Sequence, residues 1–275
     1  MKKRIKLSHI ICYLLLFGLA LVCIIPFYNI FMNATHENAE IASGYQLLPG
    51  KYLARNYETL VHYVDIWRAF GNSLFIALSS TALSAYFGGL TAYGFAKFHF
   101  RFRNGLFWIL LATMMLPAQL GLIGYFQLMD RFHLLDSYAA LIIPSAANAS
   151  AVFFIRQFIV SAVPDSLIES ARIDGCSEIR IFHKIVFPII KPAVFTQAIF
   201  VFVNSWNNFI NPLILIFTPE KLPLPVVIQQ LNGTYMRDYG VVYLGVSISV
   251  IPIVIFASLF LKRIIGGVTV GAVKG

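Results

Sequence analysis

The chain has 275 residues, 59% of them hydrophobic and only 12% charged, with a formal net charge of +9 and a mean hydropathy of +0.76. A soluble domain carries roughly 25% charged residues, so one water-facing globule is excluded and a bilayer is the natural solvent. Backbone polar groups must be satisfied within the protein in lipid, and the apolar runs are continuous rather than alternating, so helices are predicted over barrel strands.

Windows of about 18 or more residues without Asp, Glu, Lys or Arg fall at 10–32, 69–96, 106–128, 138–155, 193–217 and 239–261. The first follows MKKRIK, which resembles the positive region of a signal peptide. Its apolar run is too long and lacks a small-residue cleavage site, so it reads as an uncleaved anchor. With the N-terminus inside, fifteen of the 21 Lys and Arg residues lie in inner segments and six in outer ones, which predicts both termini in the cytoplasm. The positive charge therefore reads as membrane orientation, not as a nucleic-acid site. Cys12, Cys23 and Cys176 form no C-x-x-C pair, and the six histidines lack ligand spacing. No disulfide or metal site is expected.

The six windows hold no acid and no base. Proton- and sodium-coupled transporters keep ionisable groups at membrane depth to carry the coupling ion, so coupling to an ion gradient is poorly supported. ATP use by this chain is not supported either. GLTAYGFA at 89–96 has two glycines at Walker spacing, but Phe95 and Ala96 replace the required Lys and Ser/Thr, and small-residue helix packing explains the glycines. Nothing resembles a nucleophilic triad or a catalytic carboxylate pair, so no enzyme activity is predicted.

Polar residues interrupt the later windows. Pro117 and Gln119 stand in the third, Asn148 in the fourth and Pro252 in the sixth. In the fifth, Asn204, Asn207, Asn208 and Asn211 recur at i, i+3, i+4, i+7, one stripe of a helix. Two readings stand: interhelical hydrogen bonding, or the lining of a hydrated path. The outer segment 218–238 carries Pro219, Pro223 and Pro225 and reads as an ordered, extended loop.

The longest inner break, 161–192, contains VPDSLIESARIDGCSEIRIFHKIVFPIIKP. Pro164 suits a helix start, and Ser166 with Glu169 fits a capping box. Gly175 suits the left-handed residue at a helix end. Ser177 can open a second helix that Pro188 would interrupt. The first helix is too short to be stable alone. Its apolar side of Leu167, Ile168 and Ala171 needs something to pack on, and such an amphipathic helix is a natural docking element.

Glu169, Ala171, Asp174, Gly175, Phe182, Ile185 and Pro188 resemble, at matching spacing, the E-A-A-x-x-D-G-A-x-x-x-x-x-F-x-x-I-x-x-P loop of ABC importer permeases. Ser170 and Cys176 stand where that pattern has alanines, and both are small. NSLFIALSSTALSAYFGGLTAYGFAKFHFR at 72–101, WNNFINPLI at 206–214 and GGVTVGAVKG at 266–275 are similar to the core, the W-N-x-F/Y-x-x-P-L segment and the tail of carbohydrate-type permeases. The chain is thus similar to the smaller, maltose-permease-like subunit of binding-protein-dependent importers.

The resemblance implies an all-α membrane protein of the bacterial cytoplasmic (inner) membrane, with six transmembrane helices, both termini cytoplasmic and the type I ABC importer permease fold. It implies a second homologous permease subunit, two ATP-binding subunits, an extracytoplasmic solute-binding protein and a carbohydrate substrate. ATP and Mg would be bound by the partner ATPase, with no cofactor in this chain. Glu169, Ser170, Ala171, Asp174, Gly175, Phe182 and Pro188 would couple to the ATPase, as would the tail residues Gly271, Ala272, Val273, Lys274 and Gly275. Asn204, Asn207, Asn208 and Asn211 are candidates for the translocation path. A permease for a non-sugar solute, or a membrane scaffold or sensory protein that moves no solute, is the alternative at this stage.

Overall fold

The computed structural model describes residues 7–231 and 238–272, and among them every regular element is helical. The helices are α1 (Leu7–Asn33), α2 (Asn38–Ala42), α3 (Leu53–Tyr63), α4 (Ile66–Lys97), α5 (Arg103–Met115), α6 (Leu122–Arg131), α7 (Tyr138–Ile142), α8 (Ala149–Ala162), α9 (Asp165–Ile173), α10 (Glu178–Trp206), α11 (Ile210–Leu215), α12 (Leu224–Gln230) and α13 (Tyr239–Ala272). Among the described residues, five helical stretches are long and apolar enough to cross a membrane, and α5 with α6 makes a sixth if that bent pair is counted as one. The chain divides into two compact units, Met1–Ile66 with Val227–Ile251, and Trp67–Val226 with Pro252–Gly275.

In the first unit α1 buries none of its apolar window. The residues that follow it are tightly ordered. Asn56, on α3 and 3% exposed, donates through Nδ2 to the carbonyls of Ala34 (2.9 Å) and His36 (3.0 Å). These bonds satisfy carbonyls of the turn that follows α1. The amide of Tyr239 donates to Asn38 Oδ1 at 2.7 Å. At Gly240 a Cβ would collide with the His36 carbonyl oxygen and stand 2.6 Å from Asn56 Nδ2, so this contact needs a residue without a side chain.

The second unit has a core drawn from α4, α8, α9 and α10. Tyr93, Ile155, Ile159, Ile168, Phe182, Val186 and Ile190 all lie within it. In GLTAYGFA, Gly89 lies against the Phe182 ring, whereas a side chain at Gly94 would meet nothing.

The interruptions expected in the third and fourth windows are present, whereas those expected at Pro188 and Pro252 are not. The third window is broken: Leu116 is extended, as the residue before a proline prefers, and α5 and α6 meet at a 97° bend. In the fourth window Asn148 caps α8, its Oδ1 accepting from the Ala151 amide at 3.0 Å. Pro188 and Pro252 break nothing. Pro252 lies inside α13. Pro188 lies in α10 directly after a π-helical turn at Phe182–Val186. A proline costs its own N–H and crowds the carbonyl four residues back, and the wider turn ahead of it relieves that crowding. In the proline-bearing segment 218–238, a 3-10 turn at Pro219–Lys221 and α12 replace the extended course expected there, and residues 232–237 lie outside the described residues.

Candidate functional site

The segment that carries Glu169 to Pro188 begins at α9. The helix starts at Asp165 after Pro164, with no side-chain cap. The capping box expected from Ser166 and Glu169 is therefore not formed, because Ser166 is already inside the helix. Its C-terminus follows the expectation. Gly175 has φ +76°, Gly175 N donates to Arg172 O and Cys176 N to Ala171 O, each at 3.0 Å. That pair of bonds is a Schellman closure around a left-handed residue.

Two faces of α9 then separate. Ile168 (2% exposed) and Ala171 (6% exposed) enter the core beside Phe182, Val186 and Ile190. Burying Ile168 contributes about 1.5–3 kcal/mol, enough to hold a nine-residue helix that would be marginal by itself. Glu169, Ser170 and Asp174 are exposed, as are Leu167 and Ile173. The apolar side expected from sequence is thus divided, with Ile168 and Ala171 packed internally and Leu167 facing outward. Phe182 is fully buried against Tyr93 and Phe187, with ring centroids 5.8 Å away in each case. It serves the internal packing, while Pro188 is exposed on α10. Gly271 and Ala272 end α13, and Val273, Lys274 and Gly275 lie outside the described residues.

Polar ties that the sequence did not single out hold this segment to the core helices. Glu178, at the start of α10, accepts from Tyr93 Oη of α4 at 2.7 Å and from Arg172 Nε of α9 at 2.6 Å. The Arg172 guanidinium is raised above its ordinary value, first by its hydrogen bond to Glu178. At the other end of α9, Lys97 Nζ donates to Asp165 Oδ1 at 2.5 Å and to the Val163 carbonyl at 2.6 Å. The Asp165 carboxyl is held below its ordinary value, first by that hydrogen bond. Glu178 and Lys97 were legible only as charges flanking apolar windows. Nothing in their spacing points to Tyr93, which lies 85 residues from Glu178.

The four asparagines lie at a break, not on one helical stripe. The helix α10 ends at Trp206, Asn207 is its C-terminal cap residue, and Asn208 Oδ1 accepts from the Asn211 amide at 3.3 Å as α11 begins. The break nevertheless gathers Asn204, Asn207, Asn208 and Asn211 on one cavity of about 1060 Å³ within the second unit. Ser80 and Gln119 also line it.

A further cluster pins the segment after α11. Asp136, at φ +54°, accepts from the amides of Phe217 and Thr218 at 2.9 Å, from the Thr218 hydroxyl and from Lys221 Nζ at 2.8 Å. These donors hold its carboxyl well below the usual range, the Lys221 bond being the largest cause.

The family model described as binding-protein-dependent transport system inner membrane component matches residues 68–269. The chain belongs to that family. As a family member it is a permease component of a transport system of the inner membrane, which its apolar helices cross several times. It is 33% identical over 277 residues to the arabinooligosaccharides transport system permease protein AraQ of Halalkalibacterium halodurans, covering 98% of this chain and 99% of that one. It is 30% identical over 271 residues to the lactose transport system permease protein LacG of Rhizobium radiobacter, covering 98% of each. Among solved structures, a chain of a bacterial ABC transporter involved in import of the acidic polysaccharide alginate superposes with a TM-score of 0.79 at 26% identity, covering 95% of this chain and 99% of that chain.

Proposed function

We propose that this chain is the membrane-spanning permease subunit of an ATP-driven importer for a sugar or oligosaccharide, with both termini in the cytoplasm. It forms the translocation path with a second homologous permease subunit. Two ATP-binding subunits dock on its cytoplasmic side, and an extracytoplasmic solute-binding protein delivers the substrate. Hydrolysis of ATP, with its Mg, takes place in those partners, and this chain converts their motion into movement of its helices. The permeases named above, for arabinooligosaccharides and for lactose, support the substrate class.

The observation that carries this reading is the build of the segment from α9 to α10. It offers an exposed face of Leu167, Glu169, Ser170, Ile173 and Asp174 while its other face is packed into the core. Ile168 and Ala171 pack with residues of α4, α8 and α10. The Lys97–Asp165 pair and the Tyr93–Glu178–Arg172 bonds tie both ends of α9 to α4. A load applied to the exposed face is therefore delivered to membrane helices through close-packed side chains, which deform little. The tail, Gly271 to Gly275, is proposed as a second contact with the ATP-binding subunits.

The test is to tag the chain, extract it in mild detergent from its native membrane and identify its partners. The expected partners are a second multi-span permease and an ATPase with a Walker motif. The reconstituted assembly should import labelled oligosaccharide only with ATP and binding protein present. Recovery of the chain without an ATPase overturns the proposal.

A further inference from the structure

The cavity at the α10–α11 break is lined by uncharged residues. It holds about 1060 Å³, at the upper end of the roughly 300–1,000 Å³ of small-molecule sites. Among the described residues that line it there is no Asp, Glu, Lys, Arg or His. The polar lining is instead made of amides and hydroxyls. An asparagine amide both donates and accepts, and each hydroxyl of a sugar does the same, so the two match without any charge.

Two amides are partly committed. Asn148 spends its oxygen on the Ser150 hydroxyl and the Ala151 amide and Asn208 spends its own on the Asn211 amide, which leaves their NH2 groups as the donors toward the cavity. Ser80, 2% exposed on α4, also lines the cavity, and its hydroxyl has no hydrogen-bond partner. Phe200 and Phe209 add apolar wall. A uronate or phosphate ester would enter such a site with no cation to replace its water. Burying an unpaired anion costs far more than burying a hydroxyl that finds a partner.

We infer that this cavity is a substrate-contact site for neutral oligosaccharides, with Asn204 and Asn207 as sugar-binding side chains, and that it discriminates against acidic ones. This rests on the importer reading and adds the charge class of its substrate. It also places specificity in the permease, apart from whatever the binding protein selects.

The test uses the purified full assembly without binding protein, in detergent, and equilibrium binding of radiolabelled trisaccharides. A panel of neutral trisaccharides of arabinose, galactose or glucose is compared with trisaccharides of the corresponding uronates. At least one neutral trisaccharide should bind, and the uronates should bind at least roughly tenfold more weakly, one missing charge-compatible partner being worth about that factor. Asn204→Ala with Asn207→Ala should weaken neutral binding by roughly tenfold or more, with gel filtration and thermal unfolding reporting whether the assembly stays intact. Equal binding of neutral and acidic sugars, or no binding of any neutral one, overturns the inference. Wild-type selectivity needs no variant, so a variant that fails to assemble leaves that arm decisive. If the assembly lacks an ATPase, the importer reading fails first. If it imports sugar with ATP and shows no selectivity here, only the inference fails.

Discussion

Replacing Gly175 tests the proposed coupling role of α9 at its left-handed backbone position. Its φ of +76° costs an ordinary L-residue about 1–2 kcal/mol. Sterics add nothing to this, because a Cβ built at Gly175 meets no atom within 4 Å. The penalty is thus conformational, and 1–2 kcal/mol shifts the turn's equilibrium by roughly 5- to 30-fold. It competes with the roughly 1.5–3 kcal/mol from burial of Ile168, so Gly175→Ala should leave α9 packed most of the time with its closure weakened. Gly175→Val adds the clash of a β-branched side chain in that region. Asparagine tolerates the left-handed region, so Gly175→Asn should stay near wild type. Initial rates of labelled oligosaccharide uptake, normalised to permease in the membrane, should rank Gly and Asn together, then Ala, then Val. Wild-type uptake by Gly175→Val would refute the requirement for the turn. Equal impairment of Asn and Val would show that side-chain size against a partner, rather than φ, sets the limit.

Tyr93→Phe keeps the ring among Phe98 and Phe182 but removes the bond to Glu178. The expected loss is about 1–2 kcal/mol of thermal stability, reduced from the full worth of a charged bond because the Glu178 side chain is 37% exposed; an unchanged unfolding temperature would show that water replaces the hydroxyl freely. Gly240→Ala should disrupt the first unit, since the new Cβ overlaps the His36 carbonyl and crowds Asn56; full membrane content with wild-type protease resistance would show that the helix shifts to make room. Asp136 has a folded pKa depressed below its ordinary 3.8. Its contribution is therefore fully present above pH 3.8 and is lost as pH falls below that value. Asp136→Asn should remove the loss of stability below pH 3.8 in unfolding curves of the purified permease taken between about pH 2 and 5, and identical curves for the two proteins would refute the role.

The membrane class and the helical architecture were legible in the order of residues, as was the left-handed turn at Gly175 that ends α9. Long uncharged runs can satisfy their backbones only as helices in lipid, and a nine-residue amphipathic stretch closed by Gly175 carries its own local signals. Local signals also misled where neighbours decided the outcome. Ser166 matches a capping box, yet the chain enters α9 two residues earlier, with Pro164 in the cap position. Pro188 reads as a break, yet the π-turn at Phe182–Val186 lets α10 run through it. The asparagines are spaced for a helix, yet α10 stops at Trp206, and it is that stop which turns all four toward one cavity. Tyr93 and Glu178, like Asp136 and Thr218, meet across more than 80 residues. Local periodicity reports only on residues within a turn or two of each other. Which charge meets which hydroxyl, and whether a polar group faces a cavity or a neighbouring helix, is decided when packed helices bring distant segments within hydrogen-bond reach.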